Sequence, residues 1–369
     1  MPNAPAPQAP PCCPNPACPF HLRDRQTWRY EKIGFFYRQS RPFRVQRYLC
    51  MTCGRSFSDQ TFRTTYWMRR ADLLPLVFRK LQSCSGFRQI ARELDVAPST
   101  IAGISARLGR HALLYHEKHR PKGRLDEPLT LDGFEGFEWS QFHPSSYHVA
   151  VGKHSHFFYG FTTTELRRKG RMTDAQRKTR AQLETRFGRP DPKGTEKDVG
   201  ALLSIVVPQA QDLVLHTDEH QAYPRALKRV PHLSITHETI SSRAARTPQN
   251  PLFPVNLLDL LIRHSGSHHK RETIAFPKRL QSACERMAVF AVWRNWMKWF
   301  SERAKKSEKE TPAMRLRIAE RAFTVDDVLA ERLFPSQVQL PEPWTSYYWK
   351  RVRTRVMPRQ REHRRKYAV

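Results

Sequence analysis

The sequence predicts a multidomain α+β protein, and three patterns support this fold class. Two closely spaced pairs of cysteines lie near the start of the chain. A stretch of helical periodicity follows them, and apolar segments of strand character, alternating with helical ones, occupy the centre. The chain has 369 residues, which is long enough for two or three domains with at least one sizeable core.

The cysteines predict a zinc ribbon over residues 12–66. Four thiolates in two pairs, separated by strand-like sequence, suit the tetrahedral coordination of zinc, and Gly54 allows the tight turn after the second pair. We expect the ligands to be Cys13, Cys18, Cys50 and Cys53. Cys12 is expected to be a spectator, and unligated buried thiols are the alternative. A module this small would depend on metal binding, which contributes roughly 10–16 kcal/mol in zinc peptides.

The charge balance predicts a polyanionic partner. Lys and Arg outnumber Asp and Glu by 64 to 34, which gives a net charge of +30 and an isoelectric point near 10.4. Nucleic acid is the most common partner of this kind, so we expect double-stranded DNA. A basic surface kept for solubility is the alternative, and it fits a smaller excess. No run of roughly 18 apolar residues exists, which predicts no membrane span.

Basic and aromatic residues alternate through the cysteine module and beyond it. Between Arg23 and Arg70, twelve Lys or Arg residues face three acids, and aromatic residues lie among them, including Trp28, Tyr30, Phe35, Phe36, Tyr37 and Tyr48. Such a ribbon is suited to lie along a phosphate backbone. A docking module with a solvated basic edge is the alternative.

Residues 67–118 are predicted to form a helix-turn-helix domain. Apolar spacing indicates helices over 71–82 and 85–94 and a third beginning at Pro98, which the first turn of a helix tolerates. This arrangement would leave Ser99, Thr100 and Arg107 facing the major groove of DNA. Any three-helix bundle packs in a similar way, which is the alternative.

Strand patterns dominate residues 125–300. Three strands in sequence, then a helix, then further strands is the order of a ribonuclease-H-like sheet with helices on both faces. The segment from about 165 to 196 is rich in Arg, Lys and Gln and predicts a charged helical insertion that grips DNA. The predicted strands cover 129–137, 147–151, 156–163, 212–216 and 233–239, with a helix over 197–206 and a long helix over 281–300.

Two aspartates end apolar strands and are the candidate catalytic residues. Asp132 lies within the first strand and Asp218 follows the fourth, so the predicted sheet places them side by side. Two such carboxylates can hold Mg²⁺, or Mn²⁺, against a phosphodiester. A third ligand is expected from a later helix, where Asn256, Asp259 and Arg263 share one face. The alternative is that each strand-end Asp is an ordinary turn or cap residue.

Other polar residues near these aspartates have less specific patterns. We expect the carboxylates of Glu135, Glu138 and Glu219 to be solvated. Five histidines have spacings that do not match a metal site, so phosphate contact or a polar loop is expected for them. They are His216, His220, His264, His268 and His269. The basic residues expected to neutralise the DNA backbone are Lys270, Arg271, Lys278 and Arg279.

Both ends of the chain are predicted to lie outside the folded domains. Residues 1–11 are proline-rich and lack the regions of a signal peptide, so we expect a disordered lead-in. Residues 301–369 form a basic C-terminal region, and we expect its tail from Trp344 to Val369 to act as a further DNA clamp or a flexible arm.

The order of these motifs resembles bacterial insertion-sequence transposases of the DDE type, and the insertion-sequence-one group is the most similar. The resemblance rests on the zinc ribbon, the helix-turn-helix, Leu-Asp132, Thr-Asp218, Asn256-x-x-Asp259 and the basic block 271–279. It implies strand cleavage and strand transfer at element ends with Mg²⁺. It further implies a homo-oligomer on paired ends in the bacterial cytoplasm, associated with the nucleoid.

The resemblance carries residue by residue for two catalytic positions and departs at the third. Asp132 and Asp218 match the first two acidic positions of the family. Where the family usually has Glu, this chain has Asn256, and Asp259 follows one turn later. Glu285 on the next helix is a remoter option, and we expect Asp259 and Asn256 to act together.

A DNA transposase is therefore the leading functional hypothesis. A non-catalytic DNA-binding regulator or an inactivated transposase is the second, and Asn256 favours it because a missing carboxylate is how such sites decay. A structure-directed nuclease on the same fold is the third.

Overall fold

The computed structural model describes residues 9–23, 25–39, 42–270, 272–357 and 362–363. Its N-terminal module is a three-stranded antiparallel sheet with the order β1-β2-β3. A small separate core holds it together, in which Phe57 stacks on both Trp28 and Tyr48. Most of the proposed lead-in, residues 1–8, lies outside the described residues. The strands are β1 (Tyr30–Tyr37), β2 (Arg44–Cys50) and β3 (Ser56–Ser58).

Three helices follow, as the apolar spacing predicts. Ile90 from α2 and Ile101 and Ile104 from α3 are buried in their common core. The third helix is long, and its second half is buried because it packs closely against a later helix at Gly109. The helices are α1 (Leu73–Leu81), α2 (Phe87–Glu93) and α3 (Pro98–His119).

The central domain is built on a mixed five-stranded sheet, and all five strands lie where the sequence predicts them. The strand order is β6-β5-β4-β7-β8, with β4, β5 and β6 antiparallel and β4, β7 and β8 parallel. Strand β4 pairs with β7 only at Leu129 and Thr130, so the residues of β4 after Thr130 border an open edge. The strands are β4 (Leu129–Phe137), β5 (Pro144–Gly152), β6 (Phe158–Glu165), β7 (Asp212–Thr217) and β8 (Ser234–Thr239).

Helices cover both faces of this sheet. Helix α5 (Gly194–Val206) contacts the β5–β6 side through Asp198. Helix α7 (Phe253–Ser265) contacts β4 and β5, where Arg263 lies over the ring of Phe134. Gly133 and Phe134 are neighbours on β4 and face opposite sides of the sheet, so each lies toward a different layer of helices. The helices are α4 (Asp174–Phe187), α5 (Gly194–Val206), α6 (Ala222–Leu227), α7 (Phe253–Ser265) and α8 (Leu280–Val292).

The long helix predicted over 281–300 is shorter in the structure. It ends at Val292 and continues as a π-helical turn over Trp293–Met297. The Asn295 side chain anchors this turn to β6, because its oxygen accepts from the Phe158 amide at 2.8 Å and its nitrogen donates to the Phe158 carbonyl at 2.9 Å.

The C-terminal region packs into the core through Trp344, Tyr347 and Tyr348, so the expectation of a flexible arm is wrong there, whereas its role as a DNA clamp stays a prediction. The Trp344 side chain is completely buried, and its indole donates to the Phe161 carbonyl at 2.9 Å. The ring of Tyr347 stacks on that of Phe161. The helices of this region are α9 (Pro312–Arg315), α10 (Val325–Leu329) and α11 (Trp344–Tyr348). Residues 358–361 and 364–369 lie outside the described residues.

The same region also holds the cysteine module in place. Gln337 donates to the His21 carbonyl at 2.9 Å and to the Cys12 thiol at 3.3 Å. The Arg332 guanidinium donates to the Thr61 carbonyl at 2.9 Å. The module is therefore docked on residues from the far end of the chain.

Candidate functional site

A cleft of about 930 Å³ opens along the free edge of β4. Asp132 and Gly133 from β4, Ser146 and His148 from β5, and Asp218 after β7 contribute to its lining. The opposite wall comes largely from the charged insertion and from α6. Its basic residues are Arg167, Arg168, Lys169, Arg189 and Arg225. The two aspartates singled out in the sequence therefore share one cleft with these five basic residues, and five further acids line the same cleft: Glu135, Glu165, Asp191, Glu196 and Glu219.

Asp132 is positioned by the backbone of its own strand. Its carboxylate accepts a hydrogen bond of 2.7 Å from the Gly133 amide. Burial is the largest influence on this carboxyl and raises its pKa to about 6; the charge of Asp218 adds to the effect, while the Gly133 hydrogen bond opposes it. The influence of Asp218 on Asp132 indicates that the two carboxylates are close enough to interact.

Asp218 lies one residue beyond β7 and starts the turn into α6. Its carboxylate accepts from the His220 amide at 2.9 Å, a local hydrogen bond that fixes the turn. The helix that follows carries Tyr223, whose ring is buried. The segment after β7 therefore contributes the Asp218 carboxylate to the cleft, and α6 contributes the Tyr223 hydroxyl.

The Tyr223 hydroxyl contacts Asp132, and the charges of two further aspartates act on it. It lies 3.5 Å from the Asp132 carboxylate, to which it donates. Burial raises the pKa of Tyr223 well above its ordinary value, and the charges of Asp132, Asp218 and Asp259 raise it further. The sequence does not single out this residue, because a tyrosine five positions after an aspartate has no pattern that distinguishes it from a core residue.

Among the three candidates for the third ligand, Asp259 is the one whose charge acts on Tyr223. Asp259 and Asn256 are half-buried on α7. Glu285 is buried elsewhere, against Gly109 of α3, and accepts from the Gln281 amide nitrogen at 3.1 Å. Its charged neighbours are Lys350 and Arg110, so it belongs to the α3–α8 contact and not to the cleft.

A further basic residue acts on the site from the loop between β8 and α7. The charge of Arg246 lowers the pKa of Asp132, although burial of the carboxyl outweighs it. Arg246 itself is exposed. Its sequence context, a loop of mixed small and polar residues, carries no signal of this placement.

The floor of the cleft contains a buried histidine held by a chain of hydrogen bonds. The Thr164 hydroxyl donates to the Asp198 carboxylate at 2.5 Å and lies 2.9 Å from Nε2 of His148. Burial lowers the pKa of His148 to about 4, so its imidazole is neutral at pH 7. A Cβ on Gly133 would lie 2.9 Å from Nδ1 of His148, which explains why a glycine follows Asp132.

The four cysteines predicted to bind zinc form a compact cluster. The Sγ atoms of Cys13, Cys18, Cys50 and Cys53 all lie within 4.8 Å of one another, and they are the one such group of potential metal ligands in the described part of the chain. Burial acts to raise the pKa of Cys50, but hydrogen bonds from the Trp28 indole and from backbone amides lower it to about 6. The cluster could therefore bind zinc, and Cys12 lies outside it as expected.

The candidate DNA contacts differ in their exposure. Ser99 and Thr100 are exposed at the start of α3. Arg107 is half-buried and donates to the Thr64 carbonyl at 3.0 Å, so the expectation that it is free to face a groove is wrong. This correction reflects the docking of the segment after β3 against α3, which no local pattern in the sequence reveals.

The basic residues after α7 also differ in their exposure to solvent. Lys270 and Lys278 are exposed, and the Lys278 ammonium lies 3.2 Å from the centre of the Phe276 ring. Arg279 is half-buried at the N-cap of α8. Arg271 lies outside the described residues.

Two expectations about solvated polar residues need correction. Glu138 is buried and accepts from the Leu280 amide at 2.6 Å and the Thr354 hydroxyl at 2.5 Å, so it is a structural residue. Glu135 and Glu219 are exposed as expected. Among the histidines, the buried ones are in no position to contact phosphate, whereas His220 and His264 are exposed. The side chains of His216 and His269 are buried, and that of His268 is enclosed against Phe87.

Comparisons with known proteins add little to this geometry. No protein-family model matches the chain, and no curated protein sequence matches it. Solved structures do match, among them a chain of the cryo-electron-microscopy structure of the simian T-cell lymphotropic virus intasome in complex with PP2A regulatory subunit B56 gamma. That match has a TM-score of 0.25 and 14% sequence identity, and covers 55% of this chain and 60% of the other. A likeness this distant carries no argument about the fold or the function of this chain.

No helix in the described part of the chain is both long enough and apolar enough to cross a lipid bilayer.

Proposed function

We propose that the protein is a DNA transposase of the DDE type, which catalyses metal-dependent strand cleavage and strand transfer. The observation that carries the proposal is that Asp132 and Asp218 line one cleft together with Tyr223, on whose pKa the charge of Asp259 also acts. The three aspartates come from the central strand, the end of the neighbouring parallel strand and a helix on the sheet face. A sheet of the order β6-β5-β4-β7-β8 is the one we expect for a ribonuclease-H-like catalytic core.

The chemistry of these ligands fits a divalent cation. Burial and the charge of Asp218 disfavour the ionised form of Asp132, and a cation held between the carboxylates would relieve that cost. Oxygen ligands of this kind suit Mg²⁺ or Mn²⁺. Bound Mg²⁺ would help to activate water or a 3′-hydroxyl and to stabilise the leaving oxygen.

The carboxylates of the candidate site do not form a compact cluster. Within the described residues, no three carboxylates have oxygens all within 4.8 Å of one another. Two catalytic ions lie roughly 3.5–4 Å apart, so their ligands are spread over a larger distance than those of a single tetrahedral zinc. Asp259, with Asn256 one turn before it on α7, is our proposed third ligand position.

Double-stranded DNA is the proposed substrate because the chain has a net charge of +30 and basic residues reach the cleft. Arg168, Lys169 and Arg189 of the insertion and Arg225 of α6 line the cleft beside several acids, whereas Arg167 pairs with Glu184 at 2.8 Å. The first four side chains can neutralise phosphates on either side of a scissile bond, and the exposed Ser99 and Thr100 at the start of α3 can contact a groove. The resemblance to insertion-sequence enzymes adds element ends as the site of action.

Cleavage by purified full-length protein tests the proposal. The substrate is duplex DNA that carries the sequence flanking the coding region, incubated with Mg²⁺ or Mn²⁺. We expect Asp132→Asn and Asp218→Asn to abolish cleavage and strand transfer while leaving duplex binding within about twofold, since neither residue contributes positive charge. Asp212→Asn, an exposed aspartate at the start of β7, is the matched control and should retain activity.

Two outcomes would overturn the proposal. If both active-site variants still cleave, the catalytic assignment is wrong. If the unaltered protein binds duplex DNA but neither binds Mn²⁺ nor cleaves, the chain is a DNA-binding regulator.

A further inference from the structure

The end of the β1–β2 hairpin exposes a cluster of aromatic side chains. Four large aromatic residues at this end remain accessible to solvent, although such residues are usually covered. Their exposed fractions are 43% for Phe35, 38% for Phe36, 77% for Tyr37 and 56% for Phe43. Phe35 and Tyr37 lie on one face of β1 and Phe36 on the other, so the first two form the pair of exposed rings that a single partner can contact.

The core of the cysteine module does not reach this end of the hairpin. The core contains Trp28, Tyr48 and Phe57, which pack close to the cysteines. The pairing of β1 with β2 shifts register between Lys32 and Phe35, at Gly34, whose φ of +89° favours glycine. After this irregularity the strands continue past the core and carry their aromatic side chains into solvent.

The hairpin is nevertheless held firmly. The Arg38 guanidinium, next to Tyr37, donates to the Gln60 side chain at 3.0 Å and to the Met68 carbonyl at 2.8 Å. The Gln46 side chain donates to the Gly34 carbonyl at 2.8 Å. The aromatic residues are thus presented on a fixed support, which lowers the entropy lost when a partner binds.

Positive charge surrounds these aromatic rings. The Arg44 guanidinium lies 3.5 Å from the centre of the Phe35 ring. Lys32 and Arg47 are exposed on the same two strands. The sequence of β1 and β2 contains one acid, Glu31. A partner must therefore supply both flat apolar faces and negative charge.

We propose that this aromatic hairpin binds unpaired bases of single-stranded DNA. Unstacked bases offer π-faces to Phe35 and Tyr37, which lie on one face of β1, and the adjoining phosphates offer charge to Arg44 on the same face. Bases within an intact duplex are already stacked on one another and do not offer such faces. The hairpin would hold a frayed or displaced strand while other surfaces bind the duplex. This surface concerns binding only and does not depend on the catalytic aspartates.

Fluorescence anisotropy of the zinc-loaded full-length protein tests the inference. The probes are a labelled oligothymidine of about 20 nucleotides and a blunt duplex, measured at one salt concentration. We expect the double substitution Phe35→Ala with Tyr37→Ala to weaken binding to the single strand by about tenfold or more, and binding to the duplex by less than about twofold. Leu22→Ala removes an apolar side chain that is 73% exposed in the same module, and this control should leave both affinities unchanged.

The alternatives give different results. If the double variant binds both probes as well as the unaltered protein, or loses both equally, the inference is wrong. If the variant instead changes the sedimentation behaviour of the protein and leaves both affinities unchanged, a second copy of the chain covers the patch. Zinc content and the near-ultraviolet spectrum show whether the module remains folded. If they change, Phe35→Leu with Tyr37→Leu, which keeps apolar bulk without a π-face, replaces the alanine variant and must lose the same single-strand affinity.

Discussion

The Tyr223 hydroxyl lies 3.5 Å from the Asp132 carboxylate and joins α6 to the central strand of the sheet. This contact lowers the pKa of Asp132, although burial, the larger influence, raises it. The same hydroxyl lies within the influence of Asp218 and Asp259. A neutral donor among three carboxylates keeps one of them ionised without adding a positive charge that would compete with a metal ion.

Removing this hydroxyl should therefore shift the pH dependence of cleavage. In Tyr223→Phe the Asp132 carboxylate loses a donor, so its pKa should rise and a smaller fraction should be ionised at neutral pH. We expect cleavage at pH 6.5 to fall by roughly three- to tenfold, which corresponds to the loss of one modest hydrogen bond, with recovery toward pH 8. The pH profile of the cleavage rate measures the effect. An unchanged profile would mean that Tyr223 has no role beyond packing.

Asp132 should make the metal-free protein less stable as the pH rises. Its pKa in the folded protein is about 6, above the ordinary value of 3.8. The folded state therefore binds more protons than the unfolded state between about pH 4 and pH 6, and the free energy of unfolding decreases across that window. We expect a decrease on the order of 1–3 kcal/mol, since a tenfold change in a proton-binding constant corresponds to about 1.4 kcal/mol.

Urea unfolding at pH 4.5 and pH 7 in the presence of a magnesium chelator too weak to remove zinc measures this effect. Asp132→Asn should be more stable than the unaltered protein at pH 7 and similar to it at pH 4.5. Asp212→Asn, the exposed control, should have the same stability as the unaltered protein at both pH values. Equal stability of all three proteins at pH 7 would contradict the burial of Asp132.

Two glycines of α3 should respond in opposite ways to alanine. A Cβ on Gly109 would lie 2.6 Å from Cβ and 2.8 Å from the backbone oxygen of Glu285, so α3 and α8 would have to separate. We expect Gly109→Ala to lower the free energy of unfolding by about 1–3 kcal/mol or more. Gly103 lies on the same helix, where an added methyl group would have no neighbour within 4 Å, and Gly103→Ala should raise it by about 0.5–1 kcal/mol.

Thermal or urea unfolding of the two variants provides the comparison. If Gly109→Ala is as stable as Gly103→Ala, the close packing of α3 on α8 is wrong, and with it the position of Glu285 away from the cleft.

Zinc should be necessary for the N-terminal module and for full DNA affinity. Cys50→Ser removes one of the four clustered thiols, so we expect less than one zinc per chain, loss of the ordered Trp28 environment, and weaker DNA binding. Zinc content by atomic absorption and DNA affinity by anisotropy measure the two effects. Cys12→Ser is the matched control, because Cys12 lies outside the cluster and should retain zinc. Full zinc occupancy in Cys50→Ser would contradict the predicted site.

Local sequence patterns were sufficient for the elements that carry the candidate site. The strands that hold Asp132 and precede Asp218 are apolar runs of the expected length, and α7 shows the helical spacing that puts Asn256 and Asp259 on one face. The cysteine spacing predicted the cluster for a similar reason, because the ligands of each pair are near neighbours in the chain. These features depend on periodicity over a few residues, which a single sequence displays.

Features decided by distant neighbours could not be predicted in this way. Trp344 packs against β6, nearly two hundred residues earlier, and the basic composition around it indicated an exposed arm. Glu138 is buried because Thr354 and the start of α8 satisfy its carboxylate, and Arg107 is engaged by Thr64. A polar side chain carries no local sign that a partner from another element will enclose it.

Calorimetric titration of Mn²⁺ into the zinc-loaded full-length protein tests the central claim most directly. Because the pKa of Asp132 is about 6, binding at pH 6 should release protons, so the measured heat should depend on the ionisation enthalpy of the buffer. We expect Mn²⁺ binding with proton release in the unaltered protein and in Asp212→Asn, and loss of both in Asp132→Asn and Asp218→Asn. Mn²⁺ binding of equal strength in all four proteins would contradict a metal site built on these two aspartates.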